Sequence, residues 1–140
     1  MSLYVKKFGG SSVATPEKML NIANRVLRDR KPGDKIVIVV SAMGDTTDDL
    51  LALASKVSDI NHGREMDMLL ATGEQISISL MAMTFRKLGV PAVSLTGPQA
   101  GIIAAVAAMR QRWHSQVRCM QICVRSSPMW MVYTLQIRVL

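Results

Sequence analysis

The run Lys35-Ile-Val-Ile-Val-Val-Ser-Ala42 constrains this chain more than any other feature. Its centre, 36–40, is continuously apolar and β-branched, with no alternation of polar residues. A strand with one face in water would alternate, so burial on both faces of a parallel sheet explains the run best. A parallel sheet needs helical crossovers, and the flanking sequence supplies them. Residues 3–8, LYVKKF, suit a short strand ending at Gly9-Gly10. Thr15 is a cap and Pro16 a first helical residue. Met19, Ile22, Ala23, Val26 and Leu27 then follow at helical spacing, and the helix is expected to end near Arg30, before Pro32-Gly33.

After Gly44 a second amphipathic stretch uses Leu50, Leu51, Leu53, Ala54 and Val57. His62-Gly63 makes a turn, and residues 64–88 read as helical. A break is expected at Ala71-Thr72-Gly73, because glycine within a helix costs about 1 kcal/mol relative to alanine. Residues 91–95 suit a third strand, closed by Thr96-Gly97-Pro98. Strand, helix, strand, helix, helix, strand is the order of an α/β layered fold with a mainly parallel sheet. Met66, Met68, Met81 and Met83 are read as core filling within helices rather than as ligands.

Charge divides the chain. Residues 1–102 hold 12 Lys+Arg and 10 Asp+Glu, whereas residues 103–140 hold five arginines and no acid. All nine glycines precede residue 102, and both cysteines and both tryptophans follow it. Such a shift marks a boundary or a different origin for the segment. Residues 102–109 suit a helix and 129–140 a strand. Cys119 and Cys123, spaced C-x-x-x-C with only His114 nearby, read as reduced thiols and give no metal site or disulfide framework. Five arginines without a basic stripe make a poor nucleic-acid surface. No apolar run reaches the roughly 18 residues of a membrane span, and the N-terminus lacks a signal peptide's apolar stretch. A cytoplasmic protein is the expectation, with no nucleic-acid or membrane partner.

Three segments carry candidate chemistry. Lys7-Phe8-Gly9-Gly10-Ser11-Ser12 follows the first strand. Its glycines let backbone N–H groups approach an anion, and Lys7 adds positive charge. An ordinary strand-to-helix turn with a solvated lysine fits the same residues. Ser41-Ala42-Met43-Gly44-Asp45-Thr46-Thr47-Asp48 lies at the carboxyl edge of the second strand, where open α/β sheets bind ligands. Its hydroxyls suit a small polar substrate, or Thr46 or Thr47 caps the next helix. Thr72-Gly73-Glu74-Gln75 places an acid at the expected helix break. There it would complement a helix dipole or receive a substrate ammonium group.

In order and spacing, four blocks of this sequence resemble the aspartate kinase family: KFGGSSV (7–13), VVSAMGDTTDDL (39–50), REMDMLLATGEQISISLMAM (64–83) and VSLTGPQAGI (93–102). The resemblance covers the first 102 residues. It implies an amino-acid-kinase fold, a three-layer αβα sandwich around a mainly parallel sheet, truncated here. It also implies transfer of the ATP γ-phosphoryl group, with Mg²⁺ in the substrate complex, to the side-chain carboxylate of L-aspartate. That is the entry step to lysine, threonine and methionine synthesis.

By resemblance Lys7 stabilises the transferring phosphoryl group, and Gly9, Gly10 and Ser11 approach the phosphates. Ser41 and Thr47 surround the aspartate, and Glu74 helps to hold it. Two departures from the family are Ser11 for threonine and Pro98 for a bulky aromatic. Residues 103–140 depart altogether and are expected to be a divergent, frame-shifted tail, so the kinase is expected to be incomplete in this chain. The alternatives are a non-catalytic aspartate-binding or interaction fragment, or a kinase for another small carboxylate or phosphate acceptor. The expected assembly is a homo-oligomer or a pairing with a full-length subunit.

Overall fold

The computed structural model describes residues 2–59, 63–100 and 130–134, the last five through their backbone alone. β1 (Leu3–Phe8) leads through a short 3-10 turn (Gly10–Ser12) to α1 (Pro16–Asp29). β2 (Lys35–Val40), α2 (Thr46–Val57) and α3 (Arg64–Lys87) follow. β3 (Ala92–Leu95), a 3-10 turn (Pro98–Ala100) and β4 (Trp130–Thr134) complete the described elements. The four strands form one parallel sheet in the order β1-β2-β4-β3. Leu3 pairs with Lys35 and Phe8 with Val40. β4 fills the position between β2 and β3, with Val37 opposite Met131 and Ala92 opposite Trp130.

The continuous apolar run does become the doubly buried strand. Ile36, Ile38 and Val40 face α1 and α3, in a core with Met19, Ala23, Val26, Ile78, Met81, Ala82 and Phe85. Val37 and Val39 face the other way and meet Ala100 and Leu95. Full burial of side chains such as Phe85, Met19, Ile38 and Met81 contributes about 1.5–3 kcal/mol apiece. α1 and α3 therefore form one helical layer. Any helical layer on the Val37/Val39 face, as the three-layer expectation requires, lies outside the described residues. So do the expected helix at 102–109 and the two cysteines. The strand expected in 129–140 is observed at Trp130–Thr134, inside the sheet.

Two local expectations fail. α3 runs unbroken for 24 residues through Gly73, which is buried. The helix bears the glycine's propensity cost at a position where a side chain would be crowded by the second loop. A Cβ there would lie 3.2 Å from the Ala42 Cβ. The methionine reading fails in part, since Met81 is core whereas Met68 and Met83 are exposed. α3 is also long and apolar enough, by length and composition, to cross a bilayer. Here its buried face packs on the sheet instead, and Glu74 interrupts that face.

Candidate active site

Two loops join at the carboxyl ends of β1 and β2. The Ser41 N–H donates to the Phe8 carbonyl at 3.2 Å, extending the strand pairing by one step. The Gly44 N–H donates to the Gly10 carbonyl at 3.1 Å. Gly10 has to be glycine, because a Cβ would stand 2.6 Å from the Ala42 carbonyl oxygen. Gly44 has φ +47°, in the left-handed region that favours glycine. The first loop closes on itself through Ser12 N–H to Gly9 O, 3.0 Å, and Val13 N–H to Gly10 O, 3.1 Å. Thr46 Oγ1 donates to the Met43 carbonyl at 2.6 Å and fastens the second.

Gly9 differs from its neighbour. Its φ of −75° suits any residue, and among the described residues nothing lies within 4 Å of where its Cβ would be. Neither backbone strain nor packing within the described residues calls for glycine at this position. It leaves an open side on which a group from outside can come against the main chain.

α3 closes the site from one face of the sheet. A Cβ on Gly73 would meet Ala42, Thr46 and Leu50, so the helix lies directly on the second loop and the start of α2. Glu74, the next residue, is half-buried and has its Oε2 sealed from solvent. Desolvation raises its pKa above the ordinary glutamate value, and a backbone hydrogen bond opposes the rise in part.

The structure gathers Gly9, Gly10, Ser11, Ser41 and Glu74 around this edge. Ser41 is half-buried, and Thr47 is exposed in the first turn of α2. Asp45 takes the cap position of α2 without a side-chain hydrogen bond. The alternative that Thr46 or Thr47 caps that helix is therefore not what is seen: both lie inside it. Glu74 is likewise ten residues into α3, so it does not complement the dipole of a helix start.

Lys7 does not share the α3 side. It pairs with Val39 in register, and alternation along the strand places it on the Val37/Val39 face, while Phe8 packs towards the α1/α3 core. Lys7 and Glu74 thus approach the edge from opposite faces of the sheet. The structure therefore does not bring Lys7 together with Thr47 and Glu74 on one side of the sheet.

Sequence reasoning missed Lys18. Its Nζ donates to the Ser11 carbonyl at 2.9 Å, and its backbone N–H donates to Thr15 Oγ1 at 3.3 Å. The signal was present in Thr15-Pro-Glu-Lys18, where a capping box would put Glu or Gln in the fourth place.

Comparison with known proteins identifies the architecture. The sequence model of the amino acid kinase family matches residues 2–126. The chain belongs to the amino acid kinase family. The match continues past residue 102, where the motif resemblance ends. An aspartokinase from Bacillus sp. (strain MGA3) is 56% identical over 102 residues, covering 73% of this chain and 25% of the relative. An aspartokinase from Geobacillus stearothermophilus is 48% identical over 122 residues, covering 87% and 28%. The crystal structure of aspartate kinase from Synechocystis superposes with a TM-score of 0.69 at 34% identity, covering 99% of this chain and 24% of that one. The chain thus spans about a quarter of the length of the relatives it matches.

Proposed function

We propose that this chain carries the acceptor and γ-phosphate half of an aspartate kinase site, transferring a phosphoryl group from MgATP to the side-chain carboxylate of L-aspartate. The observation that carries the reading is the junction of the 9–12 and 41–46 loops beside Glu74, with the open side of Gly9 at its centre. The relatives named aspartokinase support it.

The chemistry asks little of a general base, because the attacking carboxylate is already ionised at neutral pH. The difficulty is bringing one anion against another. N–H groups of the Gly9–Ser11 segment offset charge on the phosphates, and Lys7, from the other face, offsets charge on the group in transfer. Mg²⁺ enters with the nucleotide as part of the substrate. Ser41 and Thr47 offer hydroxyls to the aspartate. Glu74, whose pKa desolvation raises, receives the substrate ammonium, and that cation favours the ionised carboxylate. The cytoplasm is the compartment this reading assigns.

Aspartate-dependent ADP formation by the purified chain tests the proposal, with Lys7→Ala as control. Turnover that disappears in Lys7→Ala supports it, and absence of both turnover and aspartate binding overturns it. One second reading is a non-catalytic aspartate-binding fragment, for which the junction of the two loops beside Glu74 would suffice. Retained aspartate binding without turnover would select it. We also keep the proposal that residues 103–140 are a frame-shifted tail. Resequencing the gene tests it, and a confirmed frame through codon 140 together with a purified protein of 15.4 kDa would remove it.

A further inference from the structure

Lys18 stands where helix electrostatics disfavour it. It is the third residue of α1, in the turn where the unpaired N–H groups and the dipole attract anions and repel cations. The helix already has the acid it wants. Glu17 occupies the same turn, and its carboxyl is held below the ordinary glutamate value by its backbone hydrogen bond and then by Thr15. The Thr15 side chain caps the helix through the Lys18 N–H. The ammonium of Lys18 contributes to neither of these devices. It turns back over the preceding loop and donates to the Ser11 carbonyl at 2.9 Å.

That carbonyl belongs to the same peptide unit as the Ser12 N–H, which donates to Gly9 O at 3.0 Å and closes the loop. A cation on the oxygen of an amide polarises its N–H and strengthens the bond that the N–H makes. Lys18 therefore acts on the closure that holds Gly9 and Gly10 in place. Gly10 is fixed from the other side by Gly44 and Ala42. Gly9 has no such packing among the described residues, so the turn beyond it is what sets its position.

We infer that Lys18 is a positioning residue of the glycine loop: by holding the Ser11 carbonyl it locks the Gly9–Ser12 turn and keeps the open side of Gly9 ready for a phosphate chain. The inference rests on the phosphoryl-transfer reading above. Both Ser11 and Lys18 are exposed, so replacing Lys18 leaves the core intact.

The test uses the whole chain and magnesium tripolyphosphate as probe, with titration calorimetry for affinity and NMR hydrogen exchange for the Ser12 amide. Lys18→Met is expected to bind the probe about tenfold more weakly, the loss of one charge-assisted hydrogen bond. Its Ser12 amide should exchange about tenfold faster, with the thermal midpoint unchanged. Lys18→Arg should recover both properties, because it keeps a charged donor. Lys18→Gln, which removes the charge and shortens the side chain by one atom, gives a second reading of Ser12 exchange if the methionine variant is insoluble.

Wild-type affinity in Lys18→Met, or unchanged Ser12 exchange in either uncharged variant, overturns the inference and leaves the loop's phosphate role standing. A midpoint that falls together with affinity, without recovery in Lys18→Arg, reduces Lys18 to a structural contact and also overturns it. A wild-type chain that does not bind tripolyphosphate removes the phosphate reading and the inference with it.

Discussion

α1 and α3 pack on the same face of the sheet, yet they are helices for different reasons. α1 carries its instructions locally, with Thr15 as a cap that accepts from Lys18 N–H, Pro16 at the first position, and Met19, Ala23 and Val26 on one stripe. α3 has no capping side chain at Gly63 and has a glycine at its tenth residue. It is held by what it touches: Ile78, Met81, Ala82 and Phe85 enter the core, and Gly73 lies on the Ala42–Leu50 segment. One helix is written in its own sequence, and the other in the shape of its neighbours. The candidate site depends on the second kind, because α3 carries the candidate Glu74.

Removing packing from α3 should have the largest effect. Phe85 is 1% exposed, and Phe85→Ala is expected to destabilise the fold by about 3–5 kcal/mol, read from denaturant unfolding. A loss under 1 kcal/mol would mean that α3 does not depend on this contact, and the contrast with α1 would weaken.

Gly73→Ala sharpens the same point because two effects oppose each other. Helix propensity gains about 1 kcal/mol. The new Cβ would be 3.2 Å from Ala42 Cβ and 3.4 Å from Thr46 Cγ2, tighter than ordinary contact. The loop cannot easily retreat, since Gly44 N–H and Ser41 N–H tie it to Gly10 and Phe8. Overpacking costs about 1–3 kcal/mol, so the net expectation is a loss near 1 kcal/mol. Ala42→Gly in the Gly73→Ala background should recover part of it, as a double-mutant cycle would show. A stabilised single variant would mean that propensity wins and the close approach is slack.

The same contrast explains which parts of the molecule were legible in the sequence. The 35–40 strand, α1 and the glycine loop were readable because a β-branched run, a Thr-Pro start and a glycine pair act over a few residues. The continuity of α3 was not, because the reason Gly73 is tolerated lies 31 residues away at Ala42. The face on which Lys7 emerges was not read either, because it follows from the register of Lys7 against Val39. The candidate residues were therefore found by type, while their arrangement across the sheet edge came from pairing and packing.

On α1 the local account makes a smaller prediction. Thr15→Ala removes the one side-chain cap and is expected to cost about 1 kcal/mol in unfolding free energy. It also frees the Lys18 N–H while leaving the Ser11 contact in place. If stability does not change, α1 is held by its core stripe as α3 is, and the distinction between the two helices fails.

The smallest effect concerns Glu74, and its sign is fixed by linkage. Its folded pKa is raised, chiefly by desolvation, so above the ordinary value of 4.5 the folded chain holds its proton more firmly than the unfolded chain does. Stability contributed by this carboxyl therefore falls as pH rises from about 4.5 through the raised value and levels off above it. Glu74→Gln has no such proton to lose, so in denaturant unfolding across this range the wild type should decline more steeply than the variant. The backbone hydrogen bond at Glu74 opposes the desolvation and keeps the difference modest. On the proposed function, saturating L-aspartate should reduce the decline, because an ammonium beside Glu74 would favour the ionised form that burial penalises. Parallel pH curves for wild type and variant would show that Glu74 bears no desolvation penalty, and an unchanged wild-type slope with bound aspartate would move the ammonium site away from α3.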